Sequence, residues 1–159
     1  MNPLLPRIAA ILTERGQTVS CAESCTGGLL AAAFTSLSGS SRWFHQSWVT
    51  YSNEAKRRLL GVDNATLVRH GAVSRETVRE MAAGALKHSG AHVALSISGI
   101  AGPDGGTPEK PVGTVWFGLC APDFHTEQTA LFHGDREAVR KQAVDFALEM
   151  LTDYLQNGC

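Results

Sequence analysis

The sequence has no excess of charge of either sign and no long apolar run. Its formal net charge is -1, which gives no electrostatic case for binding nucleic acid or an acidic membrane. No apolar run approaches the roughly 18 residues that a membrane-spanning helix needs. The first residues also lack the basic start and apolar core of a signal peptide. We therefore expect a cytoplasmic protein with neither nucleic acid nor membrane as a partner.

Cysteine is scarce, and nothing in the sequence has the spacing of a metal or cofactor site. The four cysteines are Cys21, Cys25, Cys120 and Cys159. They are too few and too unevenly placed for a disulfide framework, which favours a reducing compartment. The six histidines are scattered, so no zinc spacing occurs. The glycine-rich loop at Gly99 matches neither the Rossmann fingerprint nor a Walker A loop. We expect no metal and no organic cofactor.

What the chain does have is the pattern of one α/β domain over residues 1–159. An apolar content of 43% in 159 residues is enough for one sizeable core. Strands alternate with helices in the first two-thirds, which predicts a largely parallel sheet covered on both faces. The last three strands are joined by loops, which predicts one antiparallel strand. The five predicted strands are 17–20, 43–51, 92–98, 113–119 and 126–132.

Capping residues mark the ends of most predicted helices. Asn2 precedes an apolar stripe that Gly16 ends, and an alanine-rich helix covers 29–35. The polar stretch 62–71 is compatible with a helical turn. The other predicted caps are Ser52, Ser74 and Asp135 at helix starts, and Gly61 and Gly90 at helix ends.

The stretch Ser20–Gly28 is the most informative part of the sequence, because a strand there turns sharply into a helix. Such a turn leaves the first helical N–H groups unpaired and directed at one point. A side chain at this point can act as a nucleophile while the N–H groups hold an oxyanion. Ser24 is the candidate, with Cys25 as its rival, since a thiolate forms readily at a helix start. The alternative is a glycine turn that only packs a helix on the sheet.

Three further groups follow predicted strands or open the last helix. Tyr51 and Lys56 flank a helix start, and a partly buried lysine loses proton affinity and can act as a base. The loop 99–106 offers backbone N–H groups. Arg136 and Arg140 are four residues apart, so they share a helix face and suit a phosphate. Each group also has a plain structural explanation, and the residues alone lead only to a hydrolase or binder of a small phosphorylated molecule.

Several long motifs in order resemble the CinA C-terminal domain family, and the resemblance covers nearly the whole chain. It is carried by Ala22–Gly28, Val49–Lys56, His70–Ser74, Ser96–Gly106, Lys110–Trp116 and Gly134–Arg136. The chain resembles the stand-alone form, without the larger N-terminal domain of two-domain members. The resemblance implies a three-layer α/β/α sandwich with a mixed, mainly parallel five-stranded sheet.

The resemblance also implies a reaction and its residues. The reaction is hydrolysis of the carboxamide of nicotinamide mononucleotide to nicotinate mononucleotide and ammonia, a step of NAD salvage. The family's nucleophile falls on Ser24, its lysine on Lys56 and its tyrosine on Tyr51, and Ser41 matches a serine near the site. The predicted substrate-binding residues are Thr26, Gly27, Gly28, Gly99, Ile100, Ala101, Gly102, Arg136 and Arg140.

Two other functions stay open at this point. A non-catalytic nucleotide-binding or interaction module would use the same loops and arginines without a serine–lysine pair. An amidase for another small amide would use the same chemistry on a different substrate. The sequence leaves the oligomeric state open as well, although its three tryptophans are candidates for a homo-oligomer interface.

Overall fold

A five-stranded mixed sheet runs through the middle of the molecule. The computed structural model describes residues 1–158, so Cys159 at the end of the predicted domain lies outside the described part. The strands are β1 (Val19–Glu23), β2 (Phe44–Val49), β3 (Val93–Gly99), β4 (Thr114–Ala121) and β5 (Phe124–Leu131), in the sheet order β2-β1-β3-β4-β5. β1 is parallel to β2 and β3, and β4 is antiparallel to β3 and β5. The prediction of one reversed strand is confirmed.

Helices cover both faces of this sheet, which confirms the three-layer sandwich. They are α1 (Leu4–Arg15), α2 (Leu29–Thr35), α3 (Asn53–Leu60), α4 (Asn64–His70), α5 (Arg75–Ser89) and α6 (Arg136–Asn157). The larger core lies between the sheet and the layer of α1, α2 and α6. A smaller core lies between the sheet and α3, α4 and α5. At Gly84 of α5 a Cβ would collide with the carbonyl of Leu60, so glycine lets α3 pack closely on α5.

Most predicted helix ends are confirmed by their capping bonds. The side chains of Ser52, Ser74 and Asp135 each accept a backbone N–H at the start of α3, α5 and α6. Asn2 accepts the N–H of Leu4 at 2.8 Å. Gly16 ends α1 in the left-handed conformation, with φ of 64°.

Two predicted boundaries differ from the structure. The first strand covers 19–23 rather than 17–20, and all five of its residues are buried. Because both faces of β1 are covered, it shows no alternation of apolar and polar residues that would have marked its end. The stretch 62–71 forms a seven-residue helix, α4, which Asp63 caps through the N–H of Ala65.

The carboxyl ends of the three parallel strands β1, β2 and β3 meet at one edge of the sheet. Ser24, Thr50 and Gly99 lie at these ends. Open α/β sheets bind ligands at this edge. Within residues 1–158, no helix is both long and apolar enough to cross a bilayer.

Candidate active site

Ser24 immediately follows β1 and is held by the neighbouring strands. Its N–H donates to the carbonyl of Ile97 in β3 at 2.9 Å, and the N–H of Thr50 donates to the carbonyl of Glu23 at 2.8 Å. Side chains alternate along a strand, so Ser24 points to the same face as Ala22, which packs in the core under α5. This face also carries α3.

Lys56 lies in α3 directly above Ser24. Its Nζ is 2.9 Å from the Ser24 Oγ and 2.8 Å from the carbonyl oxygen of Thr50. The side chain is only 1% exposed. Burial lowers the pKa of Lys56 from its ordinary value to about 8, and the neighbouring Cys25 opposes this shift. Roughly a tenth of the amine is therefore neutral at pH 7, and the neutral form is the one that acts as a base.

The turn between β1 and α2 is organised by Glu23, a residue that the sequence does not single out. Its fully buried carboxylate accepts the Thr26 hydroxyl at 2.6 Å, the N–H of Leu30 at 2.9 Å and the N–H of Ala31 at 3.1 Å. A carboxylate at a helix start satisfies unpaired N–H groups and complements the helix dipole. The available signal was an acidic residue at the end of a buried strand, directly before the candidate nucleophile.

The N–H groups of this turn, which the sequence predicts as oxyanion donors, are partly used by the fold. The N–H of Gly27 donates to the carbonyl of Ser24 at 3.0 Å, so it is already used. In the described part of the chain, the N–H groups of Thr26 and Gly28 have no acceptor. Gly27 and Gly28 have positive φ angles of 57° and 109°, which L side chains rarely adopt.

Cys25 is buried beside Ser24 and is 6% exposed. Burial raises the pKa of the Cys25 thiol to about 11, and Glu23 adds to the rise, whereas Arg140 and Lys56 oppose it. The thiol therefore stays protonated near neutral pH. The expectation that the helix start would favour a thiolate is not met, because burial outweighs the nearby positive groups.

The two predicted arginines have different positions. Arg140 donates from Nε to the carbonyl of Cys25 at 3.0 Å and from Nη2 to that of Thr26 at 3.2 Å, so it fastens α6 to the turn. Arg136 donates from Nη1 to the carbonyl of Gly102 at 2.9 Å and from Nη2 to the Tyr51 hydroxyl at 2.9 Å. Arg136 lines the cleft that contains Ser24, and Arg140 does not.

This cleft has a volume of about 300 Å³ and lies over the ends of β1, β2 and β3. The serine–lysine pair forms its floor, and Tyr51, 61% exposed, lies with Arg136 at its mouth. Its wall is Gly99 at the end of β3 and the loop that follows, with the predicted residues Ile100, Ala101 and Gly102 together with Asp104 and Gly105. Asn53, Ala72, Val73 and Ser98 complete the lining.

The loop after β3 is fixed by backbone bonds but keeps donors free. The N–H of Ile100 donates to the carbonyl of Thr114 at 2.9 Å, and the N–H of Gly113 donates to the carbonyl of Ile100 at 2.8 Å. The N–H groups of Ala101 and Gly102 have no acceptor within the described residues. Successive free N–H groups in a turn form an anion-binding concavity.

Five of the predicted site residues do not line the cleft: Thr26, Gly27, Gly28, Ser41 and Arg140. Four of them belong to the turn after Ser24 or bond to it, whereas Ser41 lies elsewhere in the fold. Ser41 is exposed and lies in a short 3-10 helix, Ser40–Arg42, that precedes β2. Since β2 runs parallel to β1, this helix is at the amino edge of the sheet and Ser24 is at the carboxyl edge. A proton relay between Ser41 and Ser24 within one chain therefore has no structural support.

No side-chain cluster in residues 1–158 is suited to holding a metal, since no group of three or more His, Cys, Asp or Glu side chains comes together there. The polar floor of the cleft consists of an amine, hydroxyls and backbone groups. The arrangement suits attack by a serine on a carbonyl compound.

Comparison with known proteins identifies relatives over nearly the whole chain. Residues 1–155 match the model of the CinA C-terminal domain. A protein of Enterobacter agglomerans named nicotinamide-nucleotide amidohydrolase PncC is 54% identical, over 99% of this chain and 97% of its own length. The protein of the same name in Escherichia coli (strain K12) is 53% identical, over 97% of this chain and 94% of its own length.

Solved structures agree with this comparison. A CinA superfamily protein from Klebsiella pneumoniae 700603 is 44% identical and superposes with a TM-score of 0.94, covering 98% of both chains. The competence/damage inducible protein CihA from Agrobacterium tumefaciens is 46% identical, with a TM-score of 0.91, over 98% of this chain and 94% of that one. The chain belongs to the CinA C-terminal domain family.

Proposed function

We propose that this protein is an amidohydrolase that converts nicotinamide mononucleotide and water to nicotinate mononucleotide and ammonia. The observation that carries this proposal is the 2.9 Å contact between the Ser24 hydroxyl and the buried Lys56 amine. Relatives more than 50% identical over nearly the full chain are named nicotinamide-nucleotide amidohydrolases, which supports the same substrate. In the cytoplasm, the reaction would serve NAD salvage.

The first half of the reaction forms an ester on Ser24. Neutral Lys56 accepts the hydroxyl proton, and Ser24 Oγ attacks the carboxamide carbon. The free N–H groups of Thr26 and Gly28 suit the oxyanion that develops. Lys56, now protonated, gives its proton to the amide nitrogen, and the C–N bond breaks to release ammonia.

The second half returns the enzyme to its starting state. A water molecule enters the position that ammonia has left, and Lys56 accepts its proton. The hydroxide attacks the ester carbon, and Ser24 leaves with the proton held by Lys56. The Thr50 carbonyl accepts one proton of Lys56, which anchors the amine beside Ser24 while its other positions exchange protons with the reacting groups.

The phosphate of the substrate suits the mouth of the cleft. Arg136 uses two of its five N–H donors on Gly102 and Tyr51, which leaves the others free for an anion. The free N–H groups of Ala101 and Gly102 lie in the same wall. Binding energy from this remote group can hold the carboxamide over Ser24. The Tyr51 hydroxyl accepts a hydrogen bond from Arg136, so we assign Tyr51 to substrate positioning and not to proton transfer.

The test is to measure ammonia released from nicotinamide mononucleotide, nicotinamide riboside and free nicotinamide. We expect release from the mononucleotide to be much the fastest, because only it carries the phosphate. Saturable binding of the mononucleotide without ammonia would favour the non-catalytic binding module. Faster release from another small amide would favour an amidase of different specificity.

The rate should rise with pH through the pKa of Lys56. The base acts in its neutral form, and a pKa of about 8 leaves roughly 1% of the amine neutral at pH 6 and roughly 90% at pH 9. Below pH 7 we expect kcat/KM to increase about tenfold per pH unit, with a plateau above pH 9. A rate that does not change between pH 6 and 9 would contradict a lysine base.

Replacement of Arg136 by alanine should weaken binding of the phosphorylated substrate. Loss of charge-assisted hydrogen bonds to a phosphate costs about 1.5–3 kcal/mol, which corresponds to a KM higher by roughly 10- to 100-fold. Hydrolysis of nicotinamide riboside should be little affected. Lys141→Ala is the matched control, because Lys141 is an exposed cation of the same helix that does not line the cleft. An equal loss with both substrates would contradict a phosphate contact.

A further inference from the structure

We propose that Ser98 is a third catalytic group, whose hydroxyl binds the amide nitrogen as it leaves and then the water molecule that replaces it. The proposal rests on the amidohydrolase function proposed above. Ser98 lies near the carboxyl end of β3, one strand away from Ser24. It belongs to the lining of the same cleft.

The register of the sheet brings the two serines side by side. Glu23 pairs with Ile97 in the parallel ladder, and the N–H of Ser24 continues the ladder to the carbonyl of Ile97. Neighbouring strands are about 4.8 Å apart, so the Cα atoms of Ser24 and Ser98 are roughly that far from each other. Ser96 points to α5, since its hydroxyl donates to the carbonyl of Val78, and Ser98 shares that face because side chains alternate. Both serines therefore lie on the face that Lys56 covers.

The Ser98 hydroxyl opens onto the cleft without a protein partner. The residue is 1% exposed overall, and its hydroxyl makes no hydrogen bond to another described residue, unlike that of Ser96. Among the described side chains, the one polar atom that is fully enclosed without a partner is Thr50 Oγ1, so the Ser98 Oγ keeps access to the cleft. A hydroxyl that lines a cleft and has no protein partner is free to bind a ligand in that cleft.

The reaction requires a group at this position. Ser24 has Thr50 on one side and Ser98 on the other, and only Ser98 lines the cleft. The N–H groups of Thr26 and Gly28 are assigned to the oxyanion, and Lys56 is already bonded to Ser24 and Thr50. The leaving nitrogen keeps an N–H, and the incoming water keeps the O–H that Lys56 does not take. Apart from Ser98, no described side chain is assigned to accept either hydrogen. The Ser98 hydroxyl accepts that hydrogen and so fixes their direction toward the reacting carbon.

The test compares Ser98→Ala with Ser98→Thr and with Ser96→Ala. Ser96 is the matched control: it is a serine of the same strand and face, and its hydroxyl is bonded to Val78 instead of facing the cleft. For Ser98→Ala we expect kcat to fall by roughly 10- to 100-fold with KM for nicotinamide mononucleotide changed less than about threefold. The threonine variant keeps the hydroxyl and should recover most of the rate.

Stability separates this role from a structural one. Ser98→Ala removes no protein hydrogen bond, so its melting temperature should stay close to that of the wild type. Ser96→Ala leaves the Val78 carbonyl without its buried partner, so it should melt a few degrees lower, by roughly 2–4 °C, at an unchanged kcat. A large drop in melting temperature for Ser98→Ala, in proportion to its loss of rate, would overturn the proposal.

Partition of the acyl-enzyme gives a second readout. Hydroxylamine attacks the Ser24 ester to give the hydroxamate and free serine, in competition with the water that gives the acid. As a stronger nucleophile, hydroxylamine depends less on being oriented, so Ser98→Ala should raise the ratio of hydroxamate to acid by about tenfold. An unchanged ratio, or a threonine variant as slow as the alanine variant, would overturn the inference. Lack of ammonia release by the wild type would instead overturn the proposed function itself.

Discussion

Ser24→Ala should reduce kcat for ammonia release from nicotinamide mononucleotide by roughly 10⁴-fold or more. When a nucleophile and its base work together in one step, removal of the nucleophile lowers kcat by a factor of this size. No other described hydroxyl is bonded to Lys56. Substrate binding should persist, because Arg136 and the loop after β3 are unchanged. The measurement is steady-state ammonia release together with calorimetric binding of the nucleotide.

Cys25→Ala is the control that tests the rival nucleophile. Cys25 is adjacent to Ser24 and belongs to the cleft lining, but its side chain packs in the larger core. Its pKa is raised to about 11, so only a very small fraction is thiolate near neutral pH. We expect this variant to keep most of the wild-type kcat. Full activity in Ser24→Ala together with a large loss in Cys25→Ala would assign the nucleophile to Cys25.

The sequence predicts the architecture well because most of the relevant signals are local. Ser52, Ser74 and Asp135 cap helices through bonds to residues three positions away, and such bonds depend little on the rest of the fold. The reversed β4 follows from connections that carry no helix pattern, a glycine- and proline-rich loop before β4 and a short turn after it. The end of β1 was harder to predict, since a strand buried on both faces has no periodic pattern.

The pairs that form the site are less accessible to sequence reasoning. Helical spacing correctly places Arg136 and Arg140 near each other, but it does not reveal that the turn at Cys25 and Thr26 takes up the donors of Arg140. The difference between the roles of Arg136 and Arg140 depends on how α6 packs against α2. Ser41 is assigned to the site by the resemblance alone, and its location at the amino edge of the sheet follows from the parallel pairing of β1 and β2.

Glu23 and Ser98 illustrate what tertiary structure adds. Each follows an apolar or small residue in a strand and looks like an ordinary polar strand end. Their roles depend on partners: Glu23 satisfies N–H groups of a helix that begins six residues later, and Ser98 has no protein partner. The role of a buried polar group depends on its hydrogen-bond partners, and the residues next to it in the sequence do not reveal those partners.

Lys56→Met should lower kcat by roughly 10³-fold and, at neutral pH, stabilise the fold. The rate falls because methionine keeps the shape of the side chain but accepts no proton, and a general base contributes about 10²–10⁴-fold. The fold is stabilised because burial of the charged amine is costly. A pKa lowered from 10.5 to about 8 corresponds to about 3 kcal/mol, which the two lost hydrogen bonds of Lys56 reduce by about 1 kcal/mol each.

The stability difference between Lys56→Met and the wild type should depend on pH in a defined direction. Between pH 8 and 10.5 the lysine is neutral in the folded protein and charged in the unfolded chain, so unfolding takes up a proton. The wild type therefore gains stability relative to the methionine variant as pH rises through this window. Denaturant unfolding of both proteins at several pH values measures the change, and Lys141→Met serves as the control with an exposed lysine. A difference that stays constant from pH 7 to 10.5 would mean that Lys56 has an ordinary pKa and is charged where the mechanism requires a neutral amine.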